Sequence, residues 1–253
     1  MVVVPAAATA RRRGAHPPHR GGVLVFVWQA RARQPILSEM SYGPFVPIYA
    51  SLAGLYSGGA IPACQRWAVD QVPVGARVLF AGPGPGKDVV AAARRGLRVT
   101  AIDEDADMLQ VTARRLQPIA AEHPVELICA DLMQQAPTAA YDVVIAQFFL
   151  NVFAAKQLPE VLAALAGHLA PAGCLIVGDF ADLPPGDHPW QRRYHDLPMR
   201  ILARFGANAV HPVHDLPGHL RVAGFAVRDR RRFRLFGVGP PWIEGLVAEP
   251  MLP

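Results

Sequence analysis

From Arg77 to Gly178 the chain alternates short apolar runs with amphipathic segments, and few architectures can absorb that order. Arg77 to Ala81, Arg98 to Ile102, Val125 to Cys129, Tyr141 to Ala146 and Cys174 to Gly178 are apolar runs of strand length. Between them Lys87 to Arg95, Asp107 to Pro118 and Leu158 to Leu169 carry apolar residues at helical steps. Strands that lack polar alternation are buried on both faces, so the pattern predicts an α/β fold with a mostly parallel sheet and helices on both sides.

The ends have a different character. The first 39 residues hold six arginines (Arg11, Arg12, Arg13, Arg20, Arg31 and Arg33) against one acid, Glu39, and the remaining 19 basic and 19 acidic residues cancel. The formal charge of +5 therefore belongs to this stretch, and a neutral body is not a nucleic-acid surface. Residues 1–39 read as a disordered arm, and the abrupt change at Met40-Ser-Tyr points to Met40 as the start of the native protein. The run Val23 to Trp28 is far below the ~20 residues needed to span a bilayer.

Residues 40–253 read as one domain. Phe45, Ile48, Tyr49, Leu52, Leu55 and Tyr56 mark a helical cap over 42–70, broken at Gly58-Gly59, with a second short helix from Ile61 to Asp70. An insertion over 181–219, rich in Pro, His and Asp and with a helix at Tyr194 to Phe205, precedes the last strands. Phe225 to Phe236 alternates five arginines with apolar residues and reads as a strand with one solvated face.

The most informative local signal is Val78-Leu-Phe-Ala-Gly-Pro-Gly-Pro-Gly-Lys-Asp88, an apolar strand that runs into Gly82-x-Gly84-x-Gly86 and a helix. A dinucleotide fingerprint would need glycine at position 87, where Lys87 stands, and free N–H groups that Pro83 and Pro85 lack. A phosphate loop of the Walker type would need glycine at 81 and Ser or Thr at 88, where Ala81 and Asp88 stand. Gly-x-Gly-x-Gly fits S-adenosylmethionine, a ligand without phosphate. Two acids agree with it. Asp103 ends the second strand and is placed to accept from ribose hydroxyls, and Asp131 follows the third strand, where adenine would lie. Each alone also suits a helix N-cap.

On these residues the chain resembles the class I S-adenosylmethionine-dependent methyltransferases over about residues 45 to 236. Val78 to Gly86 looks like their first motif, Ile102-Asp103 with Met108-Leu109 their second, and Ala130-Asp131-Leu132 their adenine motif. Tyr141 to Ile145 looks like their fourth strand and Leu169-Ala-Pro-Ala-Gly173 like the turn before the fifth. The resemblance implies a Rossmann-like, doubly wound, seven-stranded sheet and S-adenosyl-L-methionine as cofactor. It implies cofactor contacts at Gly82, Gly84, Gly86, Asp103, Asp131, Leu132 and Gln147. The stretch from Phe45 to Trp67, with Tyr49 and Gly58-Gly59, is loosely similar to quinone-biosynthesis methyltransferases. That similarity names no substrate; the neutral body and the lack of an Asn/Asp-Pro-Pro-Tyr/Phe motif after the fourth strand place the expected acceptor among small molecules.

The chain departs from the family at two places. Phe80 stands where an acid is common, so one contact to the methionine amino group must be absent or come from elsewhere. Near Asn151, where small-molecule members often carry histidine, Gln147-Phe-Phe-Leu-Asn151 offers amides. No general base is therefore assigned. His188, His195, His211, His214 and His219 of the insertion are the remaining candidates, and no metal is expected from their spacing. Cys64, Cys129 and Cys174 read as buried reduced thiols, which fits a cytoplasmic protein. A methyltransferase-like protein that regulates or binds a partner without catalysis is the alternative.

Overall fold

The computed structural model describes residues 2–5, 25–28, 54–181, 213–239 and 241–251. Five parallel strands form the centre: β3 (Arg77–Ala81), β4 (Arg98–Asp103), β5 (Val125–Cys129), β6 (Tyr141–Gln147) and β7 (Leu169–Phe180). Two further strands, β8 (Phe225–Arg234) and β9 (Pro241–Pro250), close the sheet antiparallel, β9 lying between β7 and β8. The seven run in the order β5-β4-β3-β6-β7-β9-β8, the Rossmann-like arrangement. From β3 the chain winds outward through β4 to β5, then returns to β6 on the other side. That reversal opens a crevice at the carboxyl ends of β3 and β6, where ligands of such sheets bind.

Helices α1 (Ala60–Asp70), α2 (Lys87–Arg94) and α3 (Ala106–Leu116) contribute to one core cluster, and α4 (Leu158–His168) and α5 (Leu216–Val222) to the other. The strands supply alternate residues to each: Val78 and Phe80 to the first, Leu79 and Ala81 to the second. This double burial is the reason their sequences lack polar alternation. At the amino ends of β3 and β6, the Arg77 guanidinium and backbone N–H both donate to Asp142, and Arg77 holds that carboxyl down to about 2.

Several sequence expectations need correction. Val2–Pro5 and Val25–Trp28 are strands β1 and β2, with β2 parallel to β5 and β1 parallel to β2. The expected disordered arm is thus wrong for these eight residues. The free edge of β5 needs hydrogen-bond partners, and β-branched and aromatic runs supply them. The turn expected at Leu169 to Gly173 is instead the start of β7, with a register irregularity opposite Tyr141 and Val143. The helix expected at Tyr194 to Phe205 and the cap from 42 to 53 lie outside the described residues.

Strand β8 carries its arginines as expected, on an exposed edge, but three of them reach acids of β9. Arg228 pairs with Glu249 at 3.0 Å, and Arg230 and Arg232 share one oxygen of the fully buried Glu244. Charges on an edge strand also discourage pairing with another chain.

Helix α1 lies across β7, β9 and β8. Its Trp67 packs edge-on against Phe233, ring centres 6.1 Å apart. The contact is possible because β9 has no side chain at Gly245, where a Cβ would stand 2.2 Å from the indole. Gly245 pairs in register with Gly178 of β7, where a Cβ would stand 2.1 Å from the Gln147 amide oxygen. Truncation of Trp67 to alanine is expected to cost about 3–5 kcal/mol of folding stability. Gly245→Ala should destabilise the wild type and cost much less in the Trp67→Ala background, a coupling that urea denaturation of the four proteins measures.

Candidate functional site

The loop after β3 is built from three left-handed residues: Gly82 (φ 59°), Gly84 (φ 52°) and Gly86 (φ 68°). Each reversal costs little only because glycine has no Cβ. The space around the three differs. A Cβ on Gly82 would lie 2.5 Å from the Phe149 ring, and one on Gly86 would lie 2.4 Å from Thr112. At Gly84 nothing stands within 4 Å. The outer two glycines admit protein, and the middle one faces open space.

Helix α3 holds the loop from below. Thr112, fully buried, donates its hydroxyl to the Gly84 carbonyl at 2.9 Å, and the Arg115 guanidinium donates to the Pro85 carbonyl. Strand β4 holds it from the side, since Gly82 N–H donates to the Ile102 carbonyl at 2.9 Å.

The two acids singled out from the sequence have different surroundings. Asp105, not Asp103, caps α3, accepting from Asp107 N–H at 2.8 Å and Met108 N–H at 3.2 Å. Asp103 is thereby free of that duty. Its carboxylate lies at the carboxyl end of β4 and accepts from Gly84 N–H at 3.1 Å and Asp105 N–H at 2.9 Å. Desolvation pushes it up to about 7, against the pull of those two donors.

Asp131 does serve as a cap: its carboxylate accepts from Met133 N–H at 2.8 Å and from the Gln134 side chain at 3.2 Å. Leu132 beside it is buried. Both sit at the carboxyl end of β5, next to β4, so the glycine loop, Asp103 and Asp131 occupy the ends of three neighbouring strands.

On the other side of β3 stands Gln147, the last residue of β6. Its side-chain oxygen accepts from the Cys64 thiol at 3.6 Å. Burial, with the charges of Asp179, Glu244 and Asp88, keeps that thiol protonated. The next residue, Phe148, is left-handed (φ 54°), a costly conformation for a bulky side chain and one that gathers at functional turns. Its N–H donates to the Gly178 carbonyl at 2.7 Å.

The loop beyond β6 reaches β7 through Asn151, whose side-chain amide and backbone N–H both donate to the buried Asp179 carboxylate, at 2.7 and 3.1 Å. Asn151 is therefore a structural tie. Among the histidines, His214 is buried and its Nε2 lies 3.0 Å from the Phe153 carbonyl, while its ring meets His219 edge-on. His188, His195 and His211 lie outside the described residues.

Two features escaped the sequence reading. Phe149, which seals Gly82, lies in a short apolar run with no periodicity to reveal its direction. Asp88 is buried on the inner face of α2 together with Val89, Ala92 and Ala93. Its spacing to Ala92, one helical turn, was the available signal. Gly86→Ala should lower stability by about 2 kcal/mol, the sum of left-handed strain and the Thr112 clash, as a shift in the thermal midpoint would show.

Comparison with known proteins agrees with this fold. Residues 78–173 match the family described as a methyltransferase domain. No curated protein sequence matches the chain. Among solved structures it resembles the 1,6-didemethyltoxoflavin-N1-methyltransferase of Burkholderia thailandensis, bound there to 1,6-didemethyltoxoflavin and S-adenosylhomocysteine. The TM-score is 0.61 at 19% identity, over 82% of this chain and 86% of that one. The magnesium protoporphyrin IX methyltransferase of Synechocystis PCC 6803 gives 0.57 at 21%, over 78% and 84%. The cyclopropane synthase MmaA2 of Mycobacterium tuberculosis gives 0.60 at 12%, over 74% and 83%. At these identities the solved structures speak for the fold alone, which is Rossmann-like, and residues 78–173 are similar to a methyltransferase domain.

Proposed function

We propose that the protein transfers a methyl group from S-adenosyl-L-methionine to a small-molecule acceptor. The observation that carries this reading is Asp103. It is a desolvated carboxylate at the end of β4, relieved of helix capping by Asp105 and hydrogen-bonded to the one loop glycine that faces open space. An acid so placed suits a ribose diol.

The site fits the cofactor in its other parts. Gly84 lets the backbone approach the ligand closely, Gly82 and Gly86 let Phe149 and Thr112 pack against the loop, and Asp131 and Leu132 offer a polar edge and an apolar wall for adenine. When bound, S-adenosylmethionine supplies a methyl group already activated by its sulfonium. The chain's own contribution is alignment and exclusion of water. Phe148 and Phe149 line the turn beside the loop, and the crevice at β3 and β6 fixes the direction of approach.

The small-molecule acceptor is supported by the neutral body and by the acceptors named for the two similar methyltransferases. Three free cysteines are consistent with a cytoplasmic setting, and no helix among the described residues is long and apolar enough to cross a membrane.

Calorimetric titration of S-adenosylmethionine and of NADH tests the cofactor. The first should bind in the micromolar range and the second not at all, and Asp103→Ala should weaken the first by about tenfold or more, the worth of a hydrogen bond to a charged group. No binding of S-adenosylmethionine would favour the non-catalytic alternative.

Asp103 also predicts a pH dependence. Its value in the folded protein is raised, so protonation favours the empty fold, and that contribution fades as pH rises through about 7. Ribose binding has the opposite sign, because it needs the ionised acceptor. Affinity should therefore fall as pH drops through about 7, and this dependence should vanish in Asp103→Asn.

A further inference from the structure

The turn that joins β8 to β9 holds apolar side chains in water. Phe236 is 62% exposed and Val238 86%. Phe236 rests on Gly58, where a Cβ would stand 2.5 Å from the ring. Gly58 N–H in turn donates to the carbonyl of Leu55 at 3.0 Å, which brings a third side chain, 74% exposed, to the same patch. The support is firm. Leu235 and Trp242 are buried on either side of the turn, Gly239 N–H donates to the Leu235 carbonyl at 2.8 Å, and the Arg234 guanidinium donates to the Gly239 carbonyl at 3.0 Å. Phe236 is left-handed (φ 51°), a strain that its ring does not recover by entering the core. Apolar groups gathered on a fixed support mark a contact surface, where single ones would not.

Charge selects the partner. From Gly54 to Gln65 the chain carries no charged residue, and from Arg230 to Ile243 it carries four arginines and no acid. Arg230 and Arg232 are answered by Glu244. Arg231 lies over the Phe233 ring, 5.6 Å from its centre, and Arg234 holds the Gly239 carbonyl. Both are exposed, and neither pairs with an acid among the described residues. An apolar tip flanked by free cations is complementary to an anionic bilayer, whose headgroups take the guanidinium groups and whose acyl boundary takes the ring. A second copy fits less well, since a two-fold contact through this patch would bring the same arginines face to face.

We propose that the β8–β9 turn, with Phe236 and Val238 at its tip and Leu55 beside them, docks the protein on an anionic membrane surface. Strand β8 runs parallel to β7, because both pair antiparallel with β9, so the turn lies at the carboxyl end of the sheet, where the crevice opens. Docking there turns that end of the sheet toward lipid. It is independent of which ligand the crevice takes.

Co-sedimentation of the full chain with vesicles of phosphatidylcholine alone, and of phosphatidylcholine mixed with phosphatidylglycerol, tests the docking. The wild type should bind the mixed vesicles about tenfold or more tightly than the neutral ones. Phe236→Gly combined with Val238→Ser should weaken that binding by about tenfold or more, the worth of one apolar side chain taken out of water. Glycine suits the left-handed position, so this variant should melt close to the wild type. Arg231→Gln combined with Arg234→Gln should weaken binding to the mixed vesicles by about tenfold and leave the neutral ones little changed. A wild type that binds neither kind of vesicle overturns the proposal. So does binding that the Phe236 and Val238 substitutions leave unchanged, which would come from the arginines of residues 1–39. A dimer in sedimentation velocity that those two substitutions dissociate overturns it as well, because a second copy would then cover the patch.

Discussion

Everything at the site depends on a backbone that reverses three times in five residues and is prevented from relaxing. Gly82, Gly84 and Gly86 make the reversals sterically cheap, but cheap reversals alone would leave a floppy loop. Rigidity comes from outside it. Thr112 and Arg115 of α3 hold its carbonyls, the Ile102 carbonyl receives one N–H, and Asp103 receives another. The loop is thus shaped before any ligand arrives. Little ordering entropy then remains to be spent on binding.

Preorganisation has a counterpart in the polar groups that the fold leaves unpaired or strained. The Gln147 amide nitrogen, buried without a partner, and the left-handed Phe148 both sit at the end of β6, beside the switch point where the strand order reverses. Asp179 is answered by Asn151 and Phe180, and one oxygen of Glu244 by two arginines, while its other oxygen is buried without a partner.

The central sheet was legible because doubly buried strands write themselves as uninterrupted apolar runs. Strand β9 was not, since Glu244 and Gly245 interrupt its run and prolines bound it, and only the pairing with β7 and β8 explains them. Strands β1 and β2 were missed because short strands in parallel pairing have no local turn to announce them. At the site the glycine spacing was readable, and so was the position of Asp103. What the chain could not reveal by itself was which of Asp103, Asp105 and Asp131 would cap a helix. The choice depends on where each helix begins to within one residue, and it separates Asp103, which caps none, from Asp105 and Asp131, which both do.

Gly178 and Gly245 face each other across β7 and β9, and together they hollow the sheet beneath α1. Trp67 fills one half of the hollow and Gln147 the other. Enlarging either glycine would evict a neighbour, and shrinking either neighbour would leave a void. Four positions on four separate elements therefore form one heritable unit. Relatives with a different residue at any of them should have exchanged the others too, and their covariation would record a change in how the cap helix sits over the crevice.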